Sequence, residues 1–412
     1  MSSGLQLRLE KFLFGQEVPA NGVIANIYAL DPKKHKNSKR NVVIPVGSGS
    51  TFRSVEVEPG HYLVEAIMPS GDIISKEAEA VEGQWAKIEL KGEHSAHEWH
   101  SWQNLLGNVQ SSSGYFAATE KVSLPNYDVL LIDKPRLELQ SGSARSRDVW
   151  RVLAAVSAQK GGNFPSLSLA PLQREHPIQT DAGTQLHSFN TNFHGDRTNL
   201  PRWYAVVVTP RTVRLSTVPC PWFTVEHEVN SELLVIRNAD QSVGTSWVVQ
   251  DTTLGTVLGY LANGALKVAL DVANHQSALE MLFAKYQNPL GAAAGGYVLI
   301  GTMKAGEKSP WHDWIKNLRR DFKFLPDGAI QYAWLKLKQA DVRKNRAEAR
   351  NALFEAFDRG LPYYSLGLQW LLDGLTLLGE QDHEATERLK VVQRISWLAD
   401  MSNLFTTLDL GR

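Results

Sequence analysis

The first side chains in this chain that could do chemistry are three histidines in the stretch Glu93-His94-Ser95-Ala96-His97-Glu98-Trp99-His100-Ser101-Trp102. A metal ion takes imidazoles three or four residues apart on a helix, plus at least one further ligand. His97 and His100 meet that spacing, and His94 or Glu98 offers the extra donor. Such a centre would make the protein a metal-dependent hydrolase. The zinc-protease order is His-Glu-x-x-His, whereas His97-Glu98-Trp99-His100 is one residue short, which turns the second imidazole off the face. Ser95 and Glu98 form a capping box that starts a helix, and Gly107 stops it. Trp99, Trp102 and Leu106 share one face of that helix. The pattern favours a helix docking between domains over a metal centre, and no cofactor is expected.

Other reactive groups are sparse. Gly301-Thr-Met-Lys-Ala-Gly306-Glu-Lys308-Ser309 approaches a phosphate loop, but Glu307 stands where the motif needs its lysine. There is no Gly-x-Ser-x-Gly elbow and no Gly-x-Gly-x-x-Gly fingerprint. The single Cys220 excludes an intrachain disulfide and a cysteine-built zinc site.

Charge is laid out more tellingly. Residues 304–350 hold twelve Lys/Arg against six Asp/Glu, a net of +6, and residues 354–387 hold one Arg against seven acids, a net of −6. The basic run contains Lys316, Arg319, Arg320 and Lys323, which are the candidate partner-binding residues. Opposite fields on adjoining parts of one surface would steer a charged protein partner, or pair head to tail with a second copy. Over the whole chain 43 Lys/Arg balance 43 Asp/Glu. That balance, with the acidic neighbour, counts against nucleic acid.

The elements that must carry these groups follow from a repeat. Pro289, Pro326 and Pro362 stand 37 and 36 residues apart, each after an amphipathic run (278–286, 311–322 and 347–357). Each unit reads as a helix, a tight turn, and a second helix opened by proline, whose missing amide would have been orphaned anyway. A period in the mid-thirties with two helices per unit marks an α-helical repeat whose hairpins must stack to bury their apolar faces. Leu254 to Ala273 reads as a weaker preceding unit and Glu384 to Leu408 as a closing helix, so residues 252–408 are expected to be nearly all helix. Ala292-Ala-Ala-Gly-Gly296 implies close approach between helices.

Ahead of the repeat the chain alternates with a period of two. Leu5, Leu7 and Leu9, then Val23 to Tyr28, Phe52 to Val57, and Val57 to Gly71 with its Pro-Gly turn, read as strands. Tyr127 to Ile132, Val149 to Val156, Trp203 to Thr209, Leu233 to Ile236 and Trp247 to Val249 make a second strand-rich region, with Gly161 to Arg197 as long loops. The expected class is α+β, divided into a β-sandwich at 1–92, a helical connector at 93–114, a β-rich domain at 115–250 and the helical repeat at 251–412. No secretory layout opens the chain, and the longest uncharged apolar run, Leu290 to Met303, is too short to span a bilayer. A cytoplasmic protein without a membrane partner is expected.

Three stretches also carry a family resemblance: Ser95 to Trp99, Lys285-Tyr-Gln-Asn-Pro-Leu-Gly-Ala-Ala-Ala-Gly-Gly-Tyr297, and Leu325-Pro-Asp-Gly-Ala329. Together they resemble uncharacterised bacterial proteins encoded near caspase-like peptidases in conflict and defence systems. The turn-strand pattern of Val57 to Gly71 resembles the prealbumin-like or carboxypeptidase-regulatory β-sandwich. The resemblance implies a non-catalytic adaptor or sensor whose partner is a caspase-like or other peptidase. It brings no catalytic residue.

Overall fold

The computed structural model describes residues 3–9, 22–31, 39–45, 52–68, 73–91, 127–133, 178–180, 184–209, 212–224, 227–237, 243–249, 251, 254–262, 266, 269, 278–339, 342–379 and 382–410. The fold is α+β. Contacts divide it into two compact units, Met1–Glu120 with Asp251–Asn274, and Lys121–Gln250 with His275–Arg412.

The first unit holds two sheets. One has the order β4-β1-β7, from β1 (Gly4–Leu9), β4 (Arg53–Glu56) and β7 (Trp85–Leu90). The other has the order β3-β2-β5-β6, from β2 (Gly22–Ala29), β3 (Lys39–Pro45), β5 (Gly60–Ile67) and β6 (Ile73–Ala80). Leu5, Leu7 and Leu9 are all fully buried while Gln6 and Arg8 are not, the two-residue period of a strand with one face in a core. Helix α1, Gly255–Ala262, belongs to this unit rather than to the hairpins that follow it in sequence. It buries Val257, Leu258 and Leu261, and its Tyr260 hydroxyl accepts the Ile24 amide at 3.3 Å.

The second unit opens with a pair of four-stranded antiparallel sheets. Strands β8 (Asp128–Asp133), β11 (Trp203–Val208), β12 (Val213–Thr217) and β17 (Thr407–Asp409) form one, in the order β17-β12-β11-β8. Strands β9 (Ile178–Thr180), β10 (Thr184–Phe189), β15 (Ser231–Arg237) and β16 (Val243–Val249) form the other, in the order β16-β15-β10-β9. The short ribbon β13–β14, Trp222–Phe223 with Glu228–Val229, follows a cis Cys220–Pro221 bond. Trp247 on β16 sends its indole N–H to Ser216 Oγ on β12 at 2.7 Å and so ties the two sheets through a buried polar contact. The expectation of long loops over Gly161 to Arg197 fails at β9 and β10. Residues 184–189 pair along their whole length with 231–236, and this cross-strand ladder overrides a turn-rich composition.

Three helical hairpins follow. α2 comprises residues 278–283 and the 3-10 turn Ala284–Tyr286, and is paired with α3, Pro289–Thr302. α4, His312–Asp321, is paired with α5, Pro326–Lys338, and α6, Val342–Arg359, precedes α7, Ser365–Gly379. α8, His383–Ser396, packs against α7. Pro289 and Pro326 each open a second helix, as expected, and Asn288 Oδ1 caps the first by accepting the Gly291 amide at 2.8 Å. Every residue of α3 from Pro289 to Ile300 is buried, which makes it a central helix. A Cβ on Gly295 would stand 2.8 Å from the Ala278 carbonyl, so the expected close approach is real.

Two helical expectations are corrected. Pro362 lies three residues before its helix, because Tyr363 and Tyr364 give their amides to the Asp327 carboxylate and Tyr364 bridges Phe405, which holds the chain extended until Ser365. The closing helix ends at Ser396, and residues 407–409 form β17 instead. There Leu408 pairs with Leu215 and is fully buried, a better fate for an apolar alternating segment than a solvated helix end.

The period of the repeat reappears as bonds between successive hairpins. Gln331 Nε2 reaches the Ala293 carbonyl at 2.6 Å, Arg319 Nε reaches Glu355 at 2.7 Å, and Trp334 Nε1 reaches the Trp370 carbonyl at 2.9 Å. The partners in these three bonds are 38, 36 and 36 residues apart. Each hairpin is thus hydrogen-bonded to its neighbour.

Candidate functional site

Helix α4, the first of the second hairpin, has one face in the core and one toward solvent. Ile315 and Leu318 on α4, with Phe322 just beyond it, point inward at three-and-four spacing and are fully buried. The remaining positions fall outward. Lys316, Arg320 and Lys323 are exposed, and Arg319 is half-buried toward α6.

The four basic residues named from the sequence do different work. Arg319 is structural: it pairs with Glu355 through Nε at 2.7 Å and Nη2 at 2.5 Å, and its guanidinium lies 4.6 Å from the Tyr332 ring. Arg320 chelates its neighbour Asp321 at 2.6 and 3.0 Å and so holds that carboxyl below its usual range. Lys316 and Lys323 make no ion pair among the described residues. Lys323 lines a shallow groove of about 450 Å³ with Asn351, Phe354, Glu355, Asp358 and Arg359.

The floor of the groove is fixed by Arg359. Its Nη1 donates to the carbonyls of Phe322 at 3.2 Å and Leu325 at 2.8 Å, and its Nη2 donates to the Arg319 carbonyl at 2.6 Å and to Glu355. The Arg319 carbonyl belongs to the last turn of α4 and those of Phe322 and Leu325 to the turn beyond it, so a buried guanidinium ties the end of α4 to the start of α5. The Arg359 carbonyl in turn accepts from Arg202 Nη1 at 3.1 Å, which carries the link to the strand β11 that follows Arg202. Behind α4 lies a buried carboxylate, Asp327, accepting from Tyr297 at 2.8 Å, Tyr363 N at 2.8 Å and Tyr364 N at 3.3 Å. Burial raises its pKa in spite of these donors.

On the other side of α4 an aromatic ridge faces solvent. Phe283 is 66% exposed and Tyr286 51% exposed, unusual for rings of that size. Phe283 stands edge-on to Trp314 at 5.2 Å, and Tyr286 tilts against Phe322 at 5.4 Å while its hydroxyl bonds Asp321. Lys285 is buried beneath them, its ammonium 5.2 to 6.0 Å from the rings of Tyr286, Phe283 and Trp314, and burial lowers its pKa.

The charge switch along the chain is largely resolved inside the stack. Arg350 pairs with Asp382 and Glu384, Arg388 with Glu384 at 2.7 Å, and Glu355 with both Arg319 and Arg359. Glu355, Asp382 and Glu384 of the acidic run thus pair with Arg319 and Arg350 of the basic run. The phosphate-loop segment is also occupied by its own side chain: Glu307 accepts the Lys304 amide at 3.1 Å.

His94, His97 and His100 lie outside the described residues. Among the described residues no group of three or more His, Cys, Asp or Glu side chains is placed to hold a metal ion. Cys220 is buried, burial pushes its thiol up to about 12, and such a thiol is no nucleophile at neutral pH. No helix among the described residues is long and apolar enough to cross a membrane. Sequence reasoning missed the exposed Phe283 and Tyr286, whose amphipathic run suggested core, and it missed Asp327 and Arg359, whose roles appear only once distant carbonyls and amides converge on them.

Residues 256–409 match the family of the Y4kD C-terminal domain. The match spans the three hairpins, α8 and β17, together with α1 of the other unit. No curated protein and no solved structure matches the chain.

Proposed function

We propose that this chain is a non-catalytic adaptor or scaffold that binds a protein partner through the outward layer of its helical hairpins. The observation that carries the reading is the exposure of two large rings, Phe283 and Tyr286, on α2, with Lys316 and Lys323 exposed on α4. Exposed aromatic side chains are enriched at protein interfaces, where tryptophan and tyrosine carry much of the binding energy. The groups that could do chemistry in the same region serve the fold: Arg359 ties the turn between α4 and α5, Asp327 holds the start of α7, and Glu307 holds its own turn.

The resemblance to proteins encoded beside caspase-like peptidases supports a bacterial defence setting with a caspase-like or other peptidase as the partner. A cytoplasmic location fits that setting. The Pro-Gly turn of the N-terminal sheets supports the prealbumin-like or carboxypeptidase-regulatory type for that part. The test is affinity purification of the tagged chain from its native host, wild type beside Phe283→Ser, with mass spectrometry. The adaptor reading expects one or more proteins held by the wild type and depleted from the variant. Equal recovery of background proteins from both, with no specific partner, overturns it.

A further inference from the structure

We infer that the outer face of the sheet β4-β1-β7 binds a neutral sugar ring, with Trp85 as its stacking platform and Gln6, Ser54 and Lys87 as its hydrogen-bonding rim. The site belongs to the first unit and is independent of the hairpins and of the adaptor reading. One face of this sheet is core: Leu5, Leu7, Leu9, Val55, Ile88 and Leu90 are buried. The alternate positions point outward, and the strand registers set them in rows. Gly4 lies between Glu56 and Trp85, Gln6 between Ser54 and Lys87, and Arg8 beside Glu89.

Trp85 lies down on this face rather than standing off it. A Cβ on Gly4 would overlap Cζ3 of the indole and stand 2.7 Å from its Cε3, so the missing side chain is what admits the ring. The indole remains part-exposed, and among the described residues no cation or second ring covers it. The other ring on the face is already occupied: Phe52 carries the Arg8 guanidinium at 4.4 Å and the Lys87 ammonium at 5.7 Å.

The groups around the indole select the ligand. Gln6 brings a donor and an acceptor, Ser54 a hydroxyl that is both, Lys87 donors, and Glu56 and Glu89 acceptors. A sugar hydroxyl is itself donor and acceptor, so a mixed rim satisfies it. Arg8 and Lys87 are matched by Glu56 and Glu89, and Arg8 is bound to Glu89 through Nε at 2.6 Å. The face therefore has no net charge with which to hold a phosphate or sulfate. The C–H bonds on one side of a pyranose carry partial positive charge and stack on the negative face of an indole. With strands about 4.8 Å apart, the row Ser54–Gln6–Lys87 spans about 10 Å, wide enough for a hexose.

The experiment presents the purified full chain to an array of neutral glucose, galactose, mannose and N-acetylglucosamine oligosaccharides. Heparin fragments and oligothymidylate serve as anionic controls. Calorimetric titration and saturation-transfer NMR then follow the strongest neutral oligosaccharide. It is expected to bind with an affinity that added salt leaves unchanged, and with the strongest transfer to the C–H protons of one sugar face. Trp85→Ala should weaken binding about tenfold, and Gln6→Ala with Ser54→Ala several-fold. Where Trp85→Ala melts early, the Gln6 and Ser54 pair decides, since both positions are open to solvent and the ring is kept. No neutral oligosaccharide bound, binding that ignores both variants, or binding confined to heparin or oligothymidylate overturns the inference. None of these outcomes involves the hairpins, so the adaptor reading stands or falls separately.

Discussion

Trp334 and Trp370 are joined across neighbouring hairpins: the indole N–H of Trp334 donates to the carbonyl of Trp370 at 2.9 Å, and the two rings lie 5.4 Å apart. Each stands eight residues after the proline of its unit, and Tyr297, eight after Pro289, meets Trp370 edge-on at 5.1 Å. One position of the repeat thus builds an aromatic contact running through the stack. Trp334→Phe keeps the ring and removes the donor. It should cost about 1 kcal/mol, whereas Trp334→Ala should cost about 3–5 kcal/mol. Urea denaturation of both variants measures the difference, and a Trp334→Phe as stable as wild type would deny the bond any role.

Arg359→Lys tests the buried guanidinium. A lysine has one ammonium for the three carbonyls and one carboxylate that Arg359 now serves. Stability should fall by about 3 kcal/mol, since the end of α4 and Glu355 are left with unmet partners at a buried site. A chemical melt unchanged within error would show that water replaces the guanidinium.

The buried Asp327 makes a pH prediction. Its folded pKa lies above the ordinary carboxylate value, so the folded state holds its proton longer than the unfolded one. Below both values the group contributes no pH dependence, and stability is lost as pH rises from about 4 through the raised folded value. Asp327→Asn removes that titration but turns an amide N–H₂ toward the Tyr363 or Tyr364 N–H, at a cost of about 1–3 kcal/mol. The gap in melting temperature between wild type and variant should be widest near pH 4 and narrow toward neutrality. A gap that widens instead would mean that the donors outweigh burial.

Asp382 has the opposite sign. Its carboxylate caps α8 by accepting the amides of Glu384 at 3.0 Å and Ala385 at 3.2 Å, and Arg350 beside it holds its pKa down. Asp382→Ala should cost about 1 kcal/mol at neutral pH. That contribution is present above the ordinary carboxylate range and disappears as pH falls through the lowered folded value, so the two proteins should converge in acid.

Reversing the basic residues of α4 should separate surface from scaffold. Lys316→Glu with Lys323→Glu should leave the melting temperature nearly unmoved and slow partner association. Arg319→Glu should lower the melting temperature by several degrees, because it sets a carboxylate against Glu355 and removes one of the two cations over the Tyr332 ring. Equal thermal effects at all three positions would erase that distinction.

The histidine turn is settled by elemental analysis. As a docking helix it leaves the purified chain with less than one zinc per molecule. One tightly held metal per chain, lost in His97→Ala with His100→Ala, would restore the metal-dependent hydrolase and its site at His94, His97 and His100.

The α+β class and the hairpins were legible because they rest on local signals. Pro289 and Pro326 mark helix starts, Ile315, Leu318 and Phe322 mark one face, and Leu5, Leu7 and Leu9 mark a strand. What escaped the sequence depends on partners far along the chain. Thr184 to Phe189 becomes a strand only beside Ser231 to Ile236, and Pro362 is displaced from its helix by a carboxylate 36 residues from Tyr363, its neighbour. Phe283 has the spacing of a core residue, and only the placement of α4 leaves it outside. Arg319 and Lys323 read alike as surface cations until Glu355 claims one of them.

Strand β17 changes how the hairpins can come apart. Thr217 reaches the carbonyl of Thr406 across 189 residues, and Leu408 lies in register with Leu215 in a sheet whose other strands precede every hairpin. An open array of repeats frays from a free end, one unit at a time. Here the last turn of the path is zipped back to the sheet near its beginning, so the hairpins sit inside a closed loop. Peeling away the third hairpin first requires the sheet to release its edge, which makes the hairpins and the sheet one cooperative unit.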